Sequence, residues 1–189
     1  MATYQVRPAT LDDVDSLVDQ RVGMFTDMGQ MTHPEATAAA FREWLADTMP
    51  AGVYRAWVVE AGDEPRGQDA PSGATERQRP RCPAVVAGGG ITILPWPPGP
   101  QSLTGRIAFV YNVYTAPAHR NRGIGRLLMG AIHTWCREHG IDCLRLNASA
   151  AGEHLYTSIG YREVASPTLE IMLKPRHARA GLAKRRGFR

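Results

Sequence analysis

Asn112-Val113-Tyr114-Thr115-Ala116-Pro117-Ala118-His119-Arg120-Asn121-Arg122-Gly123-Ile124-Gly125-Arg126 is the stretch from which the rest of the chain can be read. It predicts the end of a strand, a short basic loop with glycines, and the start of a helix. The first amides of a helix point outward without a partner, and the helix dipole is positive there. Gly123 and Gly125 carry no side chain to block an approaching anion, and Arg120, Arg122 and Arg126 add positive charge. Physical chemistry alone reads this as a site for a phosphate or pyrophosphate. A P-loop is excluded, because Gly-x-x-x-x-Gly-Lys-Ser/Thr is absent. A dinucleotide fingerprint fits poorly: Leu128 stands where a third small residue belongs, and Asp142 begins the next strand instead of ending it. Plainer readings stand beside these. The glycines can serve helix–strand packing, and the arginines can be solvated surface charges.

Upstream of the loop, Arg106 to Thr115 is rich in aromatic and β-branched residues and predicts a strand. Downstream, Ile124, Leu127, Leu128, Ala131, Ile132, Trp135 and Cys136 recur on one helical face, and Gly140 ends that helix. A strand over Cys143 to Asn147, a short helix over Ala150 to Ile159 opened by Ser149, and one or two strands over Tyr161 to Leu173 follow. Toward the N-terminus, Thr3 to Arg7 reads as a strand ending at Pro8. Thr10, Asp12 and Asp13 mark a helix start. Leu11, Val14, Leu17, Val18, Val22 and Phe25 carry the helical period up to Gly29. A second helix starts near Pro34 and runs through Phe41, Trp44 and Leu45 to Pro50. Val53 to Glu60 and Ala84 to Leu94 read as strands. The second is broken by Gly88-Gly89-Gly90, which predicts a bulge or a close backbone approach. The order β-α-α-β-β-β-α-β-α-β-β makes an α/β protein with a mixed sheet.

Length and composition agree. The chain has 189 residues, 43% of them apolar. That suffices for one domain burying roughly 70% of its unfolded surface. The reading is a single domain over 1–174, with a flexible loop at 61–82 of very low apolar content, and a basic tail at 175–189. From Lys174 onward there are seven cationic residues and no acidic one, so the net charge of +4 belongs to the tail and the body is mildly acidic. A basic tail can touch nucleic acid or an anionic surface, but a solvated terminus is the plainer reading, so nucleic acid is not an expected partner. No apolar run reaches the ~18 residues a membrane helix needs, and the N-terminus lacks a signal-peptide pattern. The three cysteines form no Cys-x-x-Cys, so a cytoplasmic, reducing compartment is the default and neither a disulfide scaffold nor a metal site is expected.

The loop motif Arg120-Asn121-Arg122-Gly123-Ile124-Gly125 resembles the Arg/Gln-x-x-Gly-x-Gly/Ala motif of GNAT-superfamily N-acetyltransferases. Val113-Tyr114-Thr115 sits where their Val-x-Val strand end sits. Leu155-Tyr156-Thr157-Ser158-Ile159-Gly160-Tyr161 is similar to their Leu-Tyr-x-x-x-Gly-Phe, with Tyr in place of Phe, and Asn147-Ala148-Ser149 precedes it as in members of the superfamily. The resemblance spans about residues 3 to 173, but its specific motifs occupy only 112 to 161. It implies a GNAT-like mixed, mostly antiparallel twisted sheet, flanked by about four helices and splayed where CoA binds. It further implies acetyl-CoA as co-substrate, held by the amides of Arg122, Gly123, Ile124, Gly125 and Arg126, with Arg120 and Asn121 in the same loop. Val113, Tyr114 and Thr115 would offer backbone groups to the acetyl and pantetheine amides, and Asn147 and Ser149 would border the pantetheine.

The implied reaction is direct acetyl transfer to an amine, with Tyr156 protonating the departing thiolate; Tyr156 also reads as an ordinary half-buried aromatic. The position where many relatives carry a Glu base reads Phe109-Val110-Tyr111-Asn112, so the base is open: a water chain, Asp27, or an amine arriving deprotonated. The resemblance places the acceptor beside the first two helices, at Arg21, Phe25, Asp27 and Met28. That segment is apolar with one acid, which suits a small-molecule amine better than a polycation; its methionines also read as core filler. A protein or peptide acceptor is the rival within the enzyme class, and a non-catalytic CoA- or nucleic-acid-binding module the rival outside it. A homodimer is compatible with the sequence but not selected by it.

Overall fold

The computed structural model describes residues 3–62, 84–100, 102–164 and 170–171. The elements are β1 (Tyr4–Pro8), α1 (Val14–Asp27), α2 (Pro34–Thr48), β2 (Tyr54–Ala61), β3 (Ala84–Pro95), β4 (Arg106–Thr115), α3 (Ile124–Glu138), β5 (Leu144–Arg145) and α4 (Glu153–Ser158). The five strands lie in the order β1-β2-β3-β4-β5. The first three pairings are antiparallel; β4 and β5 are parallel and pair only at Ala108↔Leu144 and Phe109↔Arg145. The expected loop at 61–82, most of the last expected strands and the basic tail lie outside the described residues.

The entry into α1 is fixed by charge. Thr10, the expected cap, forms a capping box with Asp13, whose carboxylate accepts from the Thr10 N–H at 2.7 Å. The Arg7 guanidinium grips Asp13 through two nitrogens at 2.7 and 2.8 Å and reaches Glu60 at 2.7 Å. Asp13 is buried, and its pairing with Arg7 holds its carboxyl below the usual carboxylate range. One arginine thus joins β1, β2 and the start of α1. A single turn of 3-10 helix, Leu11–Asp13, precedes α1.

The sheet separates two cores. Leu17, Val18, Phe41, Leu45, Tyr54, Ala56 and Val58 pack beneath α1 and α2. The other face carries α3: Leu128, Met129, Ile132 and Cys136 have no exposed surface and meet Trp57, Val59, Ala87 and Val110. Each buried Leu, Ile, Val or Met among them contributes roughly 1.5–3 kcal/mol by leaving water.

The three glycines of β3 serve both functions expected of them. Gly88 pairs with Tyr114 and Gly90 with Tyr111, so two residues of β4, Asn112 and Val113, oppose Gly89 alone. That is a bulge in β4. Each glycine also admits a neighbour: a Cβ would lie 2.2 Å from Gln20 Oε1 at Gly88, 3.1 Å from Val113 Cγ2 at Gly89, and 2.5 Å from the Tyr54 hydroxyl at Gly90.

The C-terminal elements are shorter than their sequence pattern. The strand expected over Cys143 to Asn147 is confined to Leu144–Arg145. A strand persists only while it has a ladder partner, and the partnership with β4 ends at Phe109. The helix expected from Ala150 begins at Glu153, because Gly152 and Glu153 donate their N–H groups to Ser149 O in a preceding turn. Tyr161–Val164, expected to begin a strand, has no regular structure.

Candidate active site

The site is assembled where β4 stops being regular. Asn112 has φ +56°, a left-handed conformation that asparagine tolerates better than most residues. Its side chain is buried and tied on both ends. Arg21 of α1 donates to Asn112 Oδ1, and Asn112 Nδ2 donates to the Tyr54 hydroxyl at 3.3 Å. The Arg21 guanidinium lies 5.0 Å from the Phe25 ring centroid and 4.6 Å from that of Phe41. Burial pushes the Tyr54 phenol up to about 12, so it remains a neutral hydroxyl near neutral pH.

Beyond Thr115 the chain makes a short 3-10 turn, Pro117–His119, then passes through two further left-handed residues, Asn121 (φ +60°) and Gly123 (φ +77°). Gly123 is the residue before α3, and a Cβ there would meet open space. The first helical bond is Leu127 N–H to Gly123 O, so the N–H groups of Ile124, Gly125 and Arg126 have no acceptor within the helix. Gly125 answers a different need. A Cβ on it would lie 2.7 Å from Leu155 Cδ2, so it lets α4 approach α3.

The basic side chains of the loop are engaged with the rest of the protein. Arg120 Nε donates to Thr115 O at 3.0 Å, and its guanidinium pairs with Asp27 at the end of α1. That pairing holds the Asp27 carboxyl below its ordinary range. Arg122 Nη1 donates to the Tyr4 hydroxyl at 3.2 Å, and Tyr4 meets His119 Nδ1 at 3.0 Å. Arg126 donates to Ser158 Oγ at 2.9 Å. The loop is therefore stapled to β1, α1 and α4.

A family model of the acetyltransferase (GNAT) family matches residues 24–161, a span holding both the bulge and the loop. The chain belongs to the GNAT acetyltransferase family. A structure of a GCN5-related N-acetyltransferase from Ralstonia eutropha JMP134 is 28% identical, with a TM-score of 0.69 over 89% of this chain and 99% of that one. A predicted acetyltransferase with acetyl-CoA from Clostridium acetobutylicum is 20% identical (TM-score 0.70; 90% and 96% covered). Glucosamine-6-phosphate N-acetyltransferase from Arabidopsis thaliana is 14% identical (TM-score 0.60; 89% and 98% covered). The last two share the fold. A sequence comparison with curated proteins finds no match.

Within this member of the GNAT family, Tyr156 is buried on α4, and its ring meets Tyr161 edge-on at 5.8 Å. Gly152 makes room for it, since a Cβ there would lie 2.9 Å from Tyr156 Cε2. Burial raises the Tyr156 phenol, so it carries its proton at neutral pH. Val113 turns toward Gly89 and the α3 core, whereas Tyr114 lies against Gly23 on the α1 side, 2.9 Å from where a Cβ would stand. Asn147 and Met28 are exposed, and Ser149 and Phe25 half-buried. A shallow groove of about 420 Å³ between α1 and α2, lined by Asp19, Val22, Gly23, Pro34, Glu35 and Ala38, contains none of the candidate site residues read from the sequence. Among the described residues no group of three or more His, Cys, Asp or Glu is placed to hold a metal, and no helix is long and apolar enough to cross a membrane.

Sequence reasoning missed Tyr54 and Tyr4, and quoted Asn112 without assigning it a role. The signal for Asn112 was present: asparagine is depleted in strands, yet here it interrupts an aromatic, β-branched run. Tyr54 and Tyr4 carry no such signal.

Proposed function

We propose that the chain is an acetyl-CoA-dependent N-acetyltransferase that modifies an amine of a small molecule. The observation that carries the reading is a juxtaposition. The pairing of β4 with β5 ends at Phe109, and β4 then runs on through the left-handed bulge at Asn112 to the loop that leads into the Gly123-led start of α3. An acyl-CoA needs one anion site and one free strand edge, and the open amides before Leu127 and the edge of β4 beyond Phe109 support that reading. The amides of Ile124 to Arg126 would hold the pyrophosphate, aided by the positive end of the helix dipole. The backbone of Val113 to Thr115 would pair with the pantetheine amides, and Asn147 and Ser149 would border the opposite side.

Bound acetyl-CoA supplies an acetyl group activated as a thioester. The protein's part is to hold the amine against it, a proximity effect that can be worth ~7–11 kcal/mol. A backbone N–H at the bulge would stabilise negative charge developing on the acyl oxygen. Tyr156, kept protonated by burial, would give its proton to the departing sulfur. Asp27 is held as a carboxylate by Arg120, so it makes a weak base and offers no free acid to a polycation. Exposed Met28, half-buried Phe25 and the stacked pair Phe109–Tyr111, 4.7 Å apart, favour an acceptor with an apolar body. A turnover screen across amines, reading released thiol, tests the proposal. A purified chain that binds acetyl-CoA yet acetylates only peptides would replace the small-molecule acceptor.

Two outcomes follow. Gly123→Ala is expected to fold, since no atom stands in the way of a Cβ. Yet it holds a left-handed φ at about 1–2 kcal/mol of strain, which should tilt the loop and weaken acetyl-CoA binding roughly tenfold by calorimetry. Unchanged affinity would remove the loop from the site. Second, with no carboxylate serving as base, the amine must arrive neutral. kcat/KM should then climb about tenfold per pH unit up to the acceptor's own pKa, without a plateau set by an enzyme carboxylate. A plateau beginning near pH 5 for a strongly basic amine would reveal a base.

A further inference from the structure

We propose that Arg21, Asn112 and Tyr54 form a clamp that sets the β4 bulge, and that Arg21 is thereby a positioning residue for acyl transfer and not a contact of the acceptor. The inference rests on the acetyl-transfer reading but concerns residues on the side of the sheet away from α3. Three facts bring them together. Asn112 adopts a left-handed φ in the middle of a strand, a conformation that persists only where surrounding contacts over-determine it. Both ends of its amide are occupied, Oδ1 by Arg21 and Nδ2 by Tyr54. The two partners are themselves immobilised. Arg21 is held between the Phe25 and Phe41 rings, and Tyr54, with its ring crossing β3 over Gly90, meets Trp44 at 4.9 Å.

The geometry explains why an arginine is drawn into this position. A guanidinium packed between two aromatic faces gains cation–π attraction, but it still needs an oxygen to receive its N–H groups. Asn112 Oδ1 provides one. In return, the charge-assisted bond fixes the amide that sits on the bulge, and with it the directions of the backbone groups from Asn112 to Tyr114. Burial pushes the Tyr54 phenol up to about 12, so this arm of the clamp holds across the working pH range. An error of about 1 Å in such backbone groups can cost on the order of 100-fold in rate.

The test uses the full-length chain with Arg21→Met, Asn112→Gly and the double variant. Asn112→Gly keeps access to the left-handed conformation and removes only the clamp. In both single variants kcat is expected to fall about 10- to 100-fold for every amine alike, with the acceptor KM changed less than about threefold. The double variant should be no slower than the slower single one, since Arg21 acts through Asn112. Arg21→Met that raises the acceptor KM tenfold or more, with the same factor in the Asn112→Gly background, overturns the proposal and makes Arg21 an acceptor contact. Hydrogen exchange provides a reading without substrate. The amides of Val113 and Tyr114 should exchange at least tenfold faster in both variants while those of α3 do not; unchanged exchange overturns the clamp. A wild-type chain that acetylates no amine overturns the positioning role together with the acetyl-transfer reading, whereas exchange still reports whether the clamp holds the strand.

Discussion

Replacing Tyr156 with Phe is expected to lower kcat by about 100-fold or more while leaving acetyl-CoA affinity nearly intact. The substitution removes one oxygen. The ring keeps its edge contact with Tyr161 and its place over Gly152, so the fold should lose little. What is lost matters only as the sulfur departs. At 9% exposure the phenol is largely shielded from water, and burial raises it, so at neutral pH it holds a proton to give. An interaction made chiefly in the transition state lowers kcat and spares ground-state binding. The loss is smaller if the thiolate leaves unaided, as a fair leaving group can. Steady-state kinetics with a chemistry-limited amine, beside calorimetry with acetyl-CoA, decides the matter. A phenylalanine variant with full kcat from pH 6 to about 9 would make Tyr156 a packing residue.

Gly90→Ala is expected to be the most damaging single methyl group in the described core. Its Cβ would stand 2.5 Å from both Cζ and the hydroxyl of Tyr54, and 2.6 Å from the backbone oxygen of Arg55. Tyr54 cannot swing aside cheaply, because it is buried, packed on Trp44 and bonded to Asn112. The Arg55 oxygen belongs to the neighbouring strand. Overpacking of this kind costs about 1–3 kcal/mol or more. A melting temperature lowered by about 4–10 °C is the expected reading for a domain of this size. At Gly88 the clash is closer, at 2.2 Å, but falls on the end of a flexible glutamine, so Gly88→Ala should do less harm. Equal melting temperatures for Gly90→Ala and the wild type would mean that Tyr54 has room to move, which would weaken the case for the clamp as well.

Much of this fold is legible in the residues. The extents of β4 and α3 follow from their patterns almost to the residue, because each is a long element with one strong period. The triple glycine signals a bulge from the sequence, though not that the extra residue belongs to β4. Elements whose length is set by a partner are not legible. Leu144 to Asn147 alternates apolar and polar as a strand would, but where the strand ends is set by its pairing with β4, which stops at Phe109. The same limit applies to side-chain partners. The basic loop at 120–126 reads as an anion site, yet no local pattern says that Arg120 is committed to Asp27, or that Gly125 answers to Leu155. Such pairings span tens of residues and are decided by how α1 and α4 settle on the sheet.

The two-residue pairing of β4 with β5 has a consequence for how the protein meets other chains. From Val110 to Thr115, the side of β4 that faces β5 has no strand alongside it among the described residues. An unpaired, apolar strand edge is a template for another chain, and proteins usually blunt such edges with lysine, proline or a covering loop. Here the bulge interrupts the edge's regularity at Asn112, which spoils the flat ladder an intruding strand would need. The bulge that we propose orients chemistry would thus also guard against self-association, and a ligand lying along that edge would complete the protection by filling it.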